Sequence, residues 1–179
     1  MKLGIISDTH DDVNNVREAI EIFNREGVRY VIHAGDYVFP GIVMEFKRLN
    51  AKLIGVLGNN DGEKGHLLKS FLEIGGELKG ELGEMHIGDL KIGIYHGTSA
   101  DIKDQLIESG RYNIVICGHT HKKEPVGVEI GSYSIDSPTL VLNPGTAHKK
   151  VESLARAFIE GGVIILDTES QEYKHIGLP

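Results

Sequence analysis

The sequence predicts an α/β domain whose sheet is mixed or doubled into a sandwich, flanked by helices. Two observations carry this. Through the first third, apolar runs of strand length alternate with stretches of helical period, giving a βαβαβ order. The C-terminal half instead holds short apolar runs divided by Gly, Ser and Pro, so it reads as β-rich.

The elements follow in order. Leu3–Ser7 is a short apolar run with the look of a buried strand. Asp11–Glu26 sets Val13, Val16, Ala19, Ile20 and Phe23 on one helical face, and Gly27 is placed to end that helix. Tyr30–His33 is the second strand. Pro40 suits the first turn of a helix over Gly41–Leu49, and Lys52–Leu57 is the third strand. Met85–Ile94 holds two apolar runs around Gly88-Asp89, a hairpin signature. A helix is predicted over Ala100–Ser109 and a buried strand over Asn113–Cys117. Short strands are expected at Val126–Ile130, Ser134–Ile135, Thr139–Leu142 and Val163–Asp167. Glu152–Ile159 reads equally as helix or strand. The stretches Phe39–Phe46, Glu63–Leu72 and Ala147–Gly162 are expected to wall a pocket as loops.

Composition bounds the function. The 179 residues suit a single domain over 1–179, with 40% hydrophobic and 25% charged residues. The formal net charge of −7 argues against a protein that holds long nucleic acid by its backbone. It does not exclude an enzyme that meets phosphates through metal ions, which bring their own positive charge. The single cysteine, Cys117, excludes a disulfide framework and a Cys-rich zinc module. No run approaches 18 apolar residues, and the N-terminal run is too short for a signal peptide. The expectation is a reduced, cytoplasmic protein with no membrane partner, able to form a homo-oligomer through exposed β-edges. Nine histidines are present and no tryptophan.

Ligands of open α/β sheets bind at the C-terminal strand ends. Here five strands each deliver polar groups there: Asp8-Thr9-His10, His33-Ala34-Gly35-Asp36, Gly58-Asn59-Asn60-Asp61, Tyr95-His96-Gly97 and Gly118-His119-Thr120-His121. A His-x-His pair alone is a weak signal, but four further clusters at strand ends make coincidence a poor explanation. Carboxylate, imidazole and amide oxygen together are ligands for first-row divalent metals. Asp8, His10, Asp36, Asn59, His96, His119 and His121 make seven, too many for one tetrahedral zinc. Seven ligands with one shared carboxylate describe two metals, the apparatus of phosphatases and nucleases.

This set, in this order, resembles the calcineurin-like metallophosphoesterases. The Asp-Thr-His start, the short length and Asn143-Pro144-Gly145-Thr146 resemble the small prokaryotic phosphodiesterase branch. The resemblance spans roughly Met1 to Thr146 and implies two mixed β-sheets packed face to face. It implies one metal on Asp8, His10 and His121, a second on Asn59, His96 and His119, and Asp36 bridging. The implied reaction is attack on a phosphodiester by a metal-bridging hydroxide. Asp36, Asn59, Asn60 and His96 are the expected catalytic set, with Asn60 and Asn59 holding the phosphoryl group. The donor types suit Mn, Fe, Co, Ni or Zn, with manganese favoured. The expected substrate is a small phosphodiester or nucleotide-like molecule. The larger family usually carries a histidine where Asn60 stands. An amide cannot donate a proton at neutral pH, which disfavours alkyl monoesters and leaves Asp61 without its usual partner.

Three other functions compete: a phosphomonoesterase of the same superfamily, a metallo-nuclease, and a non-catalytic scaffold like the retromer-subunit branch of the fold. The complete ligand set speaks against the scaffold. Among the remaining histidines, His33 is expected packed beside the site, and His66, His86 and His175 at the surface; His148 follows Asn143-Pro144-Gly145-Thr146, which points toward the site, but Lys149 and Lys150 beside it favour an exposed loop. Asn143-Pro144-Gly145 is first a turn, and Cys117 an inert core residue.

Overall fold

The computed structural model describes residues 1–148 and 162–179. Twelve strands among these residues form two mixed sheets. The first sheet runs β4 (Glu77–Leu78), β3 (Lys52–Gly55), β2 (Tyr30–His33), β1 (Lys2–Ile6), β11 (Gly162–Asp167), β12 (Glu172–Gly177) and β9 (Ile130–Ser132). β1 to β4 are parallel, whereas β11, β12 and β9 pair antiparallel. The second sheet runs β5 (Leu82–Ile87), β6 (Leu90–Tyr95), β7 (Ile114–Ile116), β10 (Leu140–Pro144) and β8 (Lys123–Glu124). Its central strands β6, β7 and β10 are parallel.

Period-2 alternation builds two cores from the same strands. Leu3, Ile5, Ile32, Ile164 and Leu166 face Ile92, Ile94, Ile114, Ile116 and Leu142 between the sheets. Their neighbours Ile6, Val31, Leu53, Val163 and Ile165 point outward. There they meet α1 (Val13–Glu26), a 3₁₀ helix (Pro40–Arg48) and α2 (Lys64–Glu73). α1 presents Val16, Ala19, Ile20 and Phe23, as its periodicity predicts, and is capped by Asp12 and Gly27. The last helix among the described residues, α3 (Ala100–Glu108), buries none of its residues.

The structure corrects several expectations. The Pro40 segment is a 3₁₀ helix. Glu63–Leu72 is not a loop: α2 occupies it and buries Leu67 and Phe71, four residues apart. Of Val126–Ile130 only Ile130 lies in a strand, as the start of β9; Val126 and Gly127 form a turn, in which Gly127 has φ +73° and Val126 is 83% exposed. Ser134–Ile135 is also a turn, closed by Ser137 N–H on the Ser134 carbonyl at 3.1 Å. β4, β8 and β12 were not foreseen, and β9 was foreseen only at Ile130. β12 escaped notice because its buried positions are Tyr173 and His175 rather than aliphatic residues. His175 is therefore buried between the sheets, not solvated, and burial lowers its pKa. Glu152–Ile159 lies outside the described residues.

Candidate metal centre

The parallel strands of both sheets end at one edge, and the expected ligands sit in the loops just beyond them. The backbone there is unusual. Asp8, His10, Asp36, His119 and His121, five of the seven expected ligands, have φ between 39° and 66°. Val38 joins them at 74°. Each such residue costs on the order of 1–3 kcal/mol, so the surroundings must hold it there.

What holds them is a set of side-chain to backbone bonds. Asp61, 2% exposed, accepts four backbone N–H groups. Gly58 (2.7 Å) and Asp36 (3.0 Å) donate to one oxygen; Tyr37 (2.8 Å) and Val38 (2.9 Å) donate to the other. It clamps the loop after β2 to the loop after β3, across the two strained residues Asp36 and Val38. Two glycines permit the close approach. A Cβ on Gly58 would fall on the Asp36 carboxylate, and one on Gly118 on Ser7 and Asp8. The Asn143-Pro144-Gly145-Thr146 segment, expected as a turn, instead carries the end of β10 through Pro144 and contributes as well. Asn143 Nδ2 donates to the Gly118 carbonyl (2.9 Å), and Thr146 Oγ1 to the Asp8 carbonyl (2.9 Å).

Inside this frame the donors converge. Asp8 Oδ1 lies 3.1 Å from His121 Nε2, 3.8 Å from His10 Nε2 and 4.0 Å from His96 Nε2. Asp36 Oδ2 lies 3.4 Å from His96 Nε2 and 3.7 Å from His10 Nε2. Two metal-sized groups result: Asp8, His10 and His121, and Asp8, Asp36 and His96. His119 and Asn59 wall the same cavity of about 310 Å³, with Asn60 and His148. The His119 ring stands edge-on to His96 at 5.2 Å, and Asn59 Oδ1 accepts from Thr98 Oγ1 at 3.4 Å.

Hydrogen bonds behind the donors fix their atoms. His96 Nδ1–H donates to the Ala34 carbonyl at 2.7 Å, which leaves Nε2 toward the cavity. Asp8 Oδ2 accepts from Ser7 Oγ (2.6 Å) and His119 N–H (3.0 Å), which leaves Oδ1. Both Asp8 Oδ1 and His96 Nε2 are buried without a hydrogen-bond partner. Buried polar atoms are rarely left so, and a cation would satisfy both. The residues present thus fit a metal.

Electrostatics agrees. Burial pushes the Asp8 carboxyl up, but His10, His121 and Ser7 more than reverse this, and its pKa falls well below the ordinary value. Asp36 is likewise lowered, burial being outweighed by His96 and the Asn60 N–H. Asp8 raises the pKa of His10 against its burial. His96 is raised despite burial, by Asp36 and Asp8.

The other residues sort as follows. His33 is packed beside the site, as expected. It stacks on Tyr37 at 3.8 Å, and its Nδ1 accepts from Gly35 N–H at 3.1 Å, so Nε2–H faces Thr9 Oγ1 at 3.2 Å. Burial drives its pKa to about 3. Asn60 donates from its backbone to Asp36 Oδ1 (2.9 Å) and from its amide to Asp36 Oδ2 (2.7 Å). His148, expected at the surface, is half-buried at the cavity wall, 3.6 Å from Asp12 Oδ2 and 5.8 Å from the His10 ring. His66 and His86 are exposed, and Cys117 is buried with its thiol pushed up to about 12 by burial. Sequence reasoning missed the Asp61 clamp, to which no spacing rule points because it depends on how separate loops meet. For His148 the signal is its place directly after Asn143-Pro144-Gly145-Thr146, outweighed by the neighbouring lysines Lys149 and Lys150.

Two mixed sheets with a carboxylate–imidazole cluster at their shared parallel edge define a metal-binding α/β sandwich of the phosphoesterase type. A family model described as the calcineurin-like phosphoesterase superfamily domain matches residues 1–171, and the chain belongs to that superfamily. It is 41% identical over 179 residues to a protein named phosphodiesterase from Methanocaldococcus jannaschii, covering 99% of both. A solved structure described as a novel archaeal phosphodiesterase superposes with a TM-score of 0.83 at 40% identity, covering 99% of this chain and all of that one. The zinc complex of Vps29 from Entamoeba histolytica shares the fold, with a TM-score of 0.67 at 18% identity over 99% of each chain.

Proposed function

We propose that this protein is a metal-dependent phosphodiesterase that works with two divalent ions. The observation that carries the reading is the pair of buried, unpartnered atoms Asp8 Oδ1 and His96 Nε2, which face Asp36, His10 and His121. Asp8, His10 and His121 would hold one ion, and Asn59, His96 and His119 the other. Asp36, near both His10 and His96, would bridge. Bound there, divalent ions would polarise the phosphoryl oxygens and supply hydroxide near neutral pH. The donors are oxygen and imidazole with no thiolate, which suits Mn, Fe, Co, Ni or Zn; among these manganese is the ion we favour.

The chain's own residues do the rest. Asp61 and the glycines hold the donors, so no reorganisation is needed when substrate arrives. Asn60 steadies the Asp36 carboxylate through two bonds and reaches the cavity, where its amide can also meet a phosphoryl oxygen. Position 60 offers no proton to a leaving alkoxide, which supports a diester or another ester with a good leaving group over an alkyl monoester.

The reading extends to a single domain over 1–179 acting in the cytoplasm on small diesters. The one inter-sheet core, the buried free cysteine and the net charge of −7 support these parts. The test is hydrolysis of a chromogenic phosphodiester by chelator-stripped protein, with single divalent metals restored. Metal-dependent turnover well above that of the matching monoester is expected. Silence with every metal would overturn the reading in favour of the scaffold.

A further inference from the structure

A second cavity adjoins the metal pocket. It measures about 320 Å³ and shares Asn59 with the metal cavity, so a phosphoryl group seated at the metals would lie beside it. Its size lies at the lower end of small-molecule sites, roughly 300–1,000 Å³, enough for one compact group. Leu57 and Tyr95, each 8% exposed, give it an apolar floor. Thr98, Lys64 and Glu81 give it a polar rim.

Charge decides what can enter. Lys64 Nζ lies 2.8 Å from Glu81 Oε1, so the single ammonium of the wall already faces a carboxylate. The Asp61 carboxylate behind the wall is consumed by its four backbone N–H bonds. The remaining wall charges, one carboxylate against one ammonium, leave no positive excess for a second phosphate. The Thr98 hydroxyl and a Glu81 carboxylate oxygen instead suit hydroxyl groups, above a floor that suits a ring face.

We propose that this cavity is the subsite for one alcohol group of the diester, and that it takes an uncharged, hydroxyl-bearing ring such as the sugar of a nucleoside. This rests on the phosphodiesterase reading and names its substrate class. It predicts discrimination against a ligand that places a second phosphate in this cavity.

Gly62 supplies the means to test it. A Cβ there meets nothing within 4 Å, and its backbone is not in the left-handed region, so Gly62→Leu adds bulk at the cavity without strain. Calorimetry on manganese-loaded protein would compare adenosine monophosphate, adenosine diphosphate and inorganic phosphate. The monophosphate is expected to bind about tenfold more tightly than inorganic phosphate, and the diphosphate more weakly than the monophosphate. Gly62→Leu should bring the monophosphate down to the level of inorganic phosphate and leave inorganic phosphate unchanged. Glu81→Gln, an exposed substitution, should narrow the gap between diphosphate and monophosphate by removing the repelling charge. Equal binding of monophosphate and inorganic phosphate, or preference for the diphosphate in the unaltered protein, would overturn the proposal. So would monophosphate binding that Gly62→Leu leaves untouched. Turnover of the chromogenic diester by the unaltered protein reports separately on the phosphodiesterase reading.

Discussion

The inter-sheet core and the metal edge are built from the same strands by opposite means. In the core, Leu3, Ile5, Ile32, Ile94 and Ile116 are apolar, buried and regular. A few residues further along, Asp8, Asp36 and His96 are buried and polar, and the loops carry left-handed backbone at non-glycine residues. Burial of apolar area is non-directional, so the core tolerates substitutions that keep its volume. The edge depends on named bonds, each with one acceptor or donor. Stability and metal binding should therefore fail separately, and each of the following changes tests that separation.

The largest effect is expected at Asp36. Asp36→Asn keeps the shape but removes the charge that would bridge two cations. Activity should fall by about 10³-fold or more, in line with the several kcal/mol that metal-ion charge stabilisation supplies. The thermal midpoint of the metal-free protein should stay within a few degrees. A large loss of stability would show that the edge supports the fold after all.

Asp61 is next, because it joins the two regions. An amide at 61 has one acceptor oxygen and turns its NH₂ toward N–H groups, so two of the four bonds are lost. Unsatisfied buried donors cost roughly 1–3 kcal/mol each, which puts Asp61→Asn at about 3 kcal/mol. Relaxation of Asp36 and Val38 should weaken manganese binding as well. Denaturant unfolding and metal titration measure the two effects. A stability loss with unchanged metal affinity would show that Asp61 merely fastens loops.

The metal edge was the most legible part of the sequence and the Asp61 clamp the least. Candidate ligands are a matter of residue type, and Gly-Asp, Gly-Asn and Gly-His-x-His mark them. The clamp is a matter of which loop tips meet, and only the fold supplies that. The strands of the parallel half were legible because both faces are buried and read as continuous apolar runs, as in Tyr30–His33. β12 was illegible because Tyr173 and His175 fill its buried positions. α2 was hidden because it follows directly on the polar run Asn59–Glu63, and its buried stripe is only Leu67 and Phe71.

His33 stands where the two regions meet, at the end of β2. Its pKa is near 3 in the folded protein and about 6.5 unfolded. Below pH 6.5 the unfolded chain takes up a proton that the folded one refuses. This residue therefore lowers stability as pH falls from 6.5 toward 3 and is neutral in effect above 6.5. The slope approaches roughly 1.4 kcal/mol per pH unit at most. His10 and His96 have raised values and act with the opposite sign in the metal-free protein: they contribute stability below 6.5 that fades as pH rises through their folded pKa. Urea unfolding from pH 7 to 4 should thus be shallower in slope for His33→Asn than for the unaltered protein. Identical slopes would show that His33 is protonated in place.

Asn60→His probes chemistry at the edge while keeping the clamp. A histidine at 60 adds a proton donor beside the phosphoryl group, and Asp61 keeps its backbone bonds. The diester-to-monoester ratio of kcat/KM should shift toward monoesters by about tenfold, within the range a positioned acid supplies. An unchanged ratio would mean that substrate choice is not set by proton donation at this position.

The smallest change asks whether core and edge are separable within one strand. Ile94 lies in β6 two residues before His96 and is fully buried against the first sheet. Ile94→Val removes one methylene and should cost about 1 kcal/mol in denaturant unfolding. The His96 ring is aimed by its Nδ1 bond to the Ala34 carbonyl, which the core methyl does not touch. Manganese affinity and diester turnover should accordingly stay within about twofold, since the aiming bond is intact and only packing is lost. A fall in metal affinity on that scale of stability loss would mean that strand packing sets the ring position, and the core would then have to be counted as part of the site.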